Sequence, residues 1–128
     1  MKLPSWFRQA KSASKLSDHT HYQMGACIVY KGRVISVGTN QRFKSHSLTR
    51  MYNEHQTIHS EVASIIRLKN KKILKDCKMV VYRENALGGL AMARPCPTCL
   101  KILKFFNISR IAYTTDGGYA EEILTNGF

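Results

Sequence analysis

The stretch Pro95-Cys96-Pro97-Thr98-Cys99-Leu100-Lys101-Ile102-Leu103-Lys104-Phe105-Phe106 is followed closely by Ser109-Arg110-Ile111-Ala112-Tyr113-Thr114. The first segment predicts a helix over 97–106. Pro97 suits a first helical position, where its missing N–H costs nothing, and Leu100, Leu103 and Phe106 recur at the spacing of one buried face. The second segment has the short apolar pattern of a strand. A helix that opens on Cys-x-x-Cys and runs into a strand points to a layered α/β fold.

The same alternation continues in both directions. Downstream, Asp116-Gly117-Gly118 is a strong turn signal and Tyr119–Leu124 reads as a further strand. A parallel crossover needs about a dozen connecting residues. After Thr115 the chain runs only to Phe128, so the final strand pair is expected to be antiparallel, joined by a hairpin turn. Upstream, Lys78–Tyr82 reads as a strand and Asn85–Arg94, with Gly88-Gly89, as a loop. Ile58, Val62, Ile65 and Ile66, with Lys69 at its margin, mark an amphipathic helix with His59 and Glu61 in its first turn. Thr39–Gln56 is polar, irregular and long for a loop in a compact domain, as functional loops often are. Met24–Tyr30 and Arg33–Gly38 form a hairpin around Lys31-Gly32, and Phe7, Ala10, Ala13 and Leu16 line one face of a helix over 4–16. The expected order is α-β-β-α-β-α-β-β.

A chain of 128 residues fits one domain, expected over 1–128. Such a chain buries roughly two-thirds of its unfolded surface, enough for a core without covalent staples. No apolar run approaches the length of a membrane span, and Met1–Phe7 has no apolar segment behind it that would make a secretory signal. A cytoplasmic location is therefore expected. There the four cysteines, Cys27, Cys77, Cys96 and Cys99, do not suggest a disulfide framework. The 20 Lys and Arg against 8 Asp and Glu leave a formal charge of +12, which favours anionic partners such as nucleotides or nucleic acid. The basic residues are spread through the chain, with no arginine-rich block and no basic tail.

The chemistry gathers at His59-Ser60-Glu61 and Cys96-x-x-Cys99. Each motif falls at a predicted helix start. A first helical turn can put both sulfurs on one side, and the positive end of the helix favours the thiolates that zinc requires. One imidazole from the other helix makes three protein ligands and leaves a tetrahedral position for water, the arrangement of a catalytic site. Zinc acidifies that water toward neutrality, so that hydroxide is at hand as a nucleophile. Glu61, two residues from His59, is placed to carry the proton without being a ligand.

His-x-Glu with Pro-Cys-x-x-Cys is the signature of zinc deaminases, and the chain resembles the cytidine/deoxycytidylate deaminase-like superfamily over about residues 22–116. Met24-Gly25-Ala26-Cys27-Ile28-Val29, followed by Lys31–Asn40, looks like the superfamily's opening hairpin, and Ala93–Cys99 through Ile111–Asp116 like its metal helix and following strand. The resemblance implies a three-layer α-β-α fold on a mixed five-stranded sheet. It implies one zinc ion on His59, Cys96 and Cys99, with Glu61 as the proton shuttle. It also implies substrate contacts from Asn40 at the end of the second strand, and from Ser60 and Pro95. Ser60 departs from the alanine of many relatives, at a position that lies against the base. His46, in the long basic loop, is a candidate phosphate contact.

Several residues have plainer readings. His19 and His21 read as surface residues; His55 and His59 are four apart, but the Glu of a zincin helix is replaced by Gln56. Cys27 and Cys77 read as buried small hydrophobes, Phe105 and Phe106 as packing residues, and Tyr113 as core. Asn at a strand end is also common for turn reasons alone. The expected activity is hydrolytic deamination of a cytosine nucleoside or nucleotide, with a homo-oligomer compatible and no membrane partner. One alternative is deamination of cytosine or adenine in single-stranded DNA or RNA, with Phe43, Tyr52 and Tyr22 the candidate stacking rings. The other is a non-enzymatic zinc-stabilised nucleic-acid module, which would need a fourth ligand from His55 or Cys77.

Overall fold

The computed structural model describes residues 3–17, 23–42 and 57–124. Helix α1 spans Phe7–Ser14, β1 Met24–Tyr30 and β2 Arg33–Thr39; β3, Gln41–Arg42, pairs with β4, Thr57–Ile58. Helix α2 spans Ser60–Arg67 and a 3-10 helix Lys71–Asp76; β5 spans Cys77–Arg83, α3 Pro97–Phe105, β6 Arg110–Thr115 and β7 Gly118–Ile123. The main sheet has five strands in the order β2-β1-β5-β6-β7. Among the described strands only β5 and β6 pair in parallel, and the final pair β6–β7 is antiparallel, as the Asp116-Gly117-Gly118 turn signal led one to expect.

Strand alternation builds two cores, one on each face. Ala26, Ile28, Met79, Val81 and Ile111 face α2 and α3, where Val62, Ile65, Ile102 and Leu103 are buried. Cys27, Val29, Val80, Tyr82 and Ala112 face the other way, onto Phe7 and Ala10 of α1. The two sets differ by one position along each strand, as a pleated sheet covered on both sides demands. Cys27 and Cys77 are both fully buried, in keeping with their reading as small hydrophobes.

Local chemistry sets the boundaries. Lys31 and Gly32 both take positive φ in the two-residue turn between β1 and β2, which matches the twist of the strands. Asn107, also at positive φ, ends α3: Ile108 N–H reaches Leu103 O at 2.9 Å and Asn107 N–H reaches Lys104 O at 2.9 Å, a glycine-type helix stop made by asparagine.

Some expected boundaries move. α1 stops at Ser14, so Leu16 lies beyond it and is 76% exposed instead of completing the buried face. α2 stops at Arg67, before Lys69, because Leu68 turns extended; Asn70 then accepts a bond from Lys72 N–H and starts the 3-10 helix. The polar segment from Thr39 contributes the β3 strand, paired in register Gln41 with Ile58 and Arg42 with Thr57. Phe106 packs partly against the core, while Phe105 is 63% exposed. Among the described residues, no helix is long and apolar enough to cross a membrane.

Candidate active site

Two helix N-termini meet at the carboxyl ends of β5 and β6. His59, in extended conformation, is the N-cap of α2. Cys96, also extended, is the N-cap of α3; its Sγ accepts the Cys99 N–H at 3.5 Å, and Pro97 follows at the first helical position. Both helices therefore aim their positive ends at the ligating side chains, which favours thiolate over thiol.

The segment leading to Cys96 is tied to the sheet. Beyond β5, Asn85 Oδ1 accepts the Leu87 and Gly89 N–H groups at 2.9 and 3.0 Å and closes a tight loop. Ala91 N–H returns to Arg83 O at 3.0 Å, and Ala93 N–H bonds Thr114 O at 2.9 Å. The fully buried Thr114 hydroxyl donates to Ala91 O at 2.7 Å and accepts from Arg83 N–H at 3.1 Å. Arg94 grips Glu122 of β7 with two bonds, 2.7 and 3.1 Å, and the Tyr113 hydroxyl donates to the same carboxylate. Sequence reading took Thr114 and Tyr113 as strand residues and did not single out Arg94 or Glu122. The only available hints were a threonine at a strand end and an arginine directly before Pro-Cys.

The structure brings His59, Cys96 and Cys99 together, with one ligand atom from each and all within 4.8 Å of one another. His59 Nδ1 lies 3.1 Å from Cys99 Sγ and 3.7 Å from Cys96 Sγ. Tetrahedral zinc, with its usual bonds to sulfur and nitrogen, sets such atoms about 3.6 Å apart, so the donor set fits one zinc ion in both chemistry and spacing. Cys77 is no fourth donor. It sits at the far end of β5, and its thiol donates to Ile73 O at 3.2 Å.

One hydrogen bond between the two cysteines moves their thiols in opposite directions. Cys96 is pulled down to about 4, chiefly because the Cys99 thiol donates to it; burial opposes this, and His59 and the Cys99 N–H assist. Cys99 is pushed up by the same hydrogen bond, by burial and by the nearby Glu61. His59 is raised, first by its bond to Cys96 and against burial. A dication held by His59, Cys96 and Cys99 would stabilise both as thiolates.

Glu61 is 2% exposed and lies within hydrogen-bonding reach of Cys99, yet it is not one of the three clustered donors. Ser60 is fully buried, and its hydroxyl donates to Glu61 Oε1 at 2.8 Å. Pro95 is buried directly before Cys96. Asn40 stands at the end of β2, where its Oδ1 accepts the Met24 N–H at 2.9 Å and its own N–H bonds Met24 O at 3.3 Å. It thus performs the turn chemistry expected of asparagine at a strand end. His46, His55, His19, His21, Phe43, Tyr52 and Tyr22 lie outside the described residues.

Comparison with known proteins places this geometry. The family described as "Cytidine and deoxycytidylate deaminase zinc-binding region" matches residues 2–115. No curated protein matches the chain significantly. Among solved structures, the cytidine deaminase of Burkholderia pseudomallei is similar at TM-score 0.65 and 16% identity, covering 100% of both chains. The dCMP deaminase of cyanophage S-TIM5, solved with dCMP and dUMP, is similar at TM-score 0.63 and 16% identity, covering 88% of this chain and 83% of that one. The cytidine deaminase of Mycobacterium leprae gives TM-score 0.56 at 18% identity, covering 93% and 94%. These structures share the fold, the family match spans the hairpin and both ligand-bearing helices, and the chain belongs to the cytidine and deoxycytidylate deaminase family.

Proposed function

We propose that this chain is a zinc-dependent hydrolytic deaminase of a free cytosine nucleoside or nucleotide, with Glu61 as its proton shuttle. The observation that carries the reading is the position of Glu61: buried against the His59–Cys96–Cys99 cluster and not part of it. A structural zinc site needs no such carboxylate, and burying one costs stability unless it has partners or a task. Zinc, when bound, supplies a water acidic enough to react near neutrality. Glu61 takes one proton from the attacking water and delivers it to the ring nitrogen. It then takes the second from the resulting hydroxyl and delivers it to the departing amine, which leaves as ammonia while the ring carbon keeps the oxygen as a carbonyl. Asn40 and Pro95 contact the substrate, and His46 a phosphate. A similar fold solved with dCMP and dUMP supports a nucleotide as substrate.

The test is ammonia release by the zinc-loaded protein from cytidine, deoxycytidine, their phosphates, guanine and a short single-stranded oligonucleotide, with Glu61→Gln alongside. Turnover of a cytosine mononucleotide is expected, reduced by roughly 10²–10⁴ in Glu61→Gln at unchanged zinc content. Full activity in Glu61→Gln would refute the assigned role. Turnover confined to the oligonucleotide would replace the substrate.

A further inference from the structure

The reading above leaves the Ser60 hydroxyl without a task, and the structure gives it one. Serine at a helix start ordinarily caps, accepting a backbone N–H with its oxygen. Here the N-cap is His59, and Cys96 performs the sulfur equivalent on α3. The Ser60 hydroxyl makes no capping bond. It donates sideways to Oε1 of the next residue, Glu61, at 2.8 Å, with both side chains buried.

A carboxylate with 2% exposure is held by whatever donors surround it, because no water competes for its oxygens. Its terminal torsion is otherwise broad and roughly two-fold. A donor on one oxygen breaks that symmetry: it fixes the plane of the carboxylate and leaves the other oxygen outside that bond. The backbone beneath is fixed as well. The Ser64 hydroxyl bonds Glu61 O at 2.6 Å, and the α2 helix is pressed onto β2 at Gly38. What remains adjustable is the carboxylate, which also lies within reach of Cys99 and which Ser60 holds at Oε1.

We infer that Ser60 is a positioning residue, whose hydroxyl occupies Oε1 of Glu61, fixes the carboxylate beside the metal ligands and leaves Oε2 to carry the proton. This rests on Glu61 being the shuttle. Ser60 acts through Glu61 and does not touch the substrate with its hydroxyl.

The experiment is Ser60→Ala, which removes one hydroxyl and leaves a good helix former in place. It is compared with the wild type and Glu61→Gln by steady-state deamination, zinc content, thermal unfolding and crystal structures of the zinc-loaded proteins. The expected result is a roughly tenfold to hundredfold loss of kcat, the worth of a hydrogen bond to a charged group, with KM within about twofold. Zinc content and unfolding temperature stay near wild type, and the Glu61 carboxylate takes a different or a mixed rotamer. A rise in KM at constant kcat would overturn the inference in favour of a substrate contact. Loss of zinc would overturn it in favour of a role in metal binding. An unchanged Glu61 rotamer would overturn it outright. The crystallographic comparison separates this inference from the proposed activity: a wild-type protein that deaminates none of the substrates refutes the activity, while the carboxylate's dependence on Ser60 is still decided by its position.

Discussion

Gly38 of β2 approaches Ser60 of α2 so closely that a β-carbon at position 38 would lie 2.5 Å from the Ser60 carbonyl oxygen and 2.4 Å from Ser64 N. The helix that carries His59 and Glu61 rests on the sheet through that missing side chain. On the opposite face, a β-carbon on Gly25 would lie 2.0 Å from Ala10 O and 2.4 Å from Ser14 N. Gly25 pairs with Thr39 and Ala26 with Gly38, so one hairpin holds a helix against each side.

These two contacts predict a dissociation of effects. Gly38→Ala must lift the start of α2, costing about 1–3 kcal/mol of overpacking and moving His59 away from the cysteines. Gly25→Ala costs a similar amount on the α1 face and leaves the ligands in place. Urea unfolding should show both losses. Zinc retention against a chelator should fall about tenfold or more in Gly38→Ala alone; equal retention in the two variants would refute the coupling of Gly38 to the metal site.

Zinc should be worth stability only through its three ligands. Ligand binding to the folded state raises the unfolding temperature by mass action. The wild type is expected to melt higher with zinc and lower with chelator, whereas Cys96→Ser and Cys99→Ser should melt independently of zinc. Cys77→Ser, buried at the far end of β5, should lose stability and keep its zinc response. A zinc response in either Cys96→Ser or Cys99→Ser would show that another donor completes the site.

The parts legible in sequence were those with local signals. Lys31-Gly32 and Asp116-Gly117 announced their turns, and Pro97 between the two cysteines announced a helix start. Alternation separated Ala26 and Ile28 from Cys27 and Val29. The illegible parts depend on contacts between distant residues. No pattern in Val37-Gly38-Thr39 says that a helix backbone will arrive against it, and the bond between Ser60 and Glu61 depends on rotamers that sequence does not specify. Thr114 reads as an ordinary strand residue until the fold brings Ala91 and Arg83 to its hydroxyl. The end of α1 moved because spacing alone extended the apolar face to Leu16, which no described residue covers.

The Glu122 network should appear in the acid limb of stability. Its carboxyl is held below the ordinary value of 4.5, first by Arg94, then by the Tyr113 hydroxyl, against some burial. A carboxyl whose folded value is depressed contributes fully above its unfolded value and loses that contribution as pH falls through the folded one. The side chains of Arg94 and Glu122 are 45% and 31% exposed, so solvent screening limits the pair to about 0.5–1 kcal/mol. Glu122→Gln should therefore lower the unfolding temperature by a few degrees, about 2–4 °C, at pH 7 and by almost nothing at pH 3. A difference that persisted undiminished at pH 3 would mean that packing, not charge, links β7 to the segment before Cys96.

Salt should affect turnover of a mononucleotide only weakly, because one large group of cations is at the wrong end of the sheet to serve the site. Lys31 occupies the β1–β2 turn and Arg33 starts β2, while Lys71, Lys72 and Lys75 lie on the 3-10 helix that enters β5. The register places Tyr30 beside both Arg33 and Cys77, and Lys78 beside Arg110, so these cations share one end of the sheet. The metal ligands gather at the other end, where Lys15 pairs with Glu84 beyond the last residue of β5. A seven-residue strand separates the two ends by about 20 Å. That is more than two Debye lengths at physiological ionic strength, roughly 8 Å each. The distant lysines then contribute little attraction at the site, and kcat/KM for a cytosine mononucleotide should fall no more than about twofold to threefold between 50 and 300 mM salt. A steep decline, of about tenfold or more, would mean that cations outside the described residues line the substrate path and that electrostatic capture is built into the site after all.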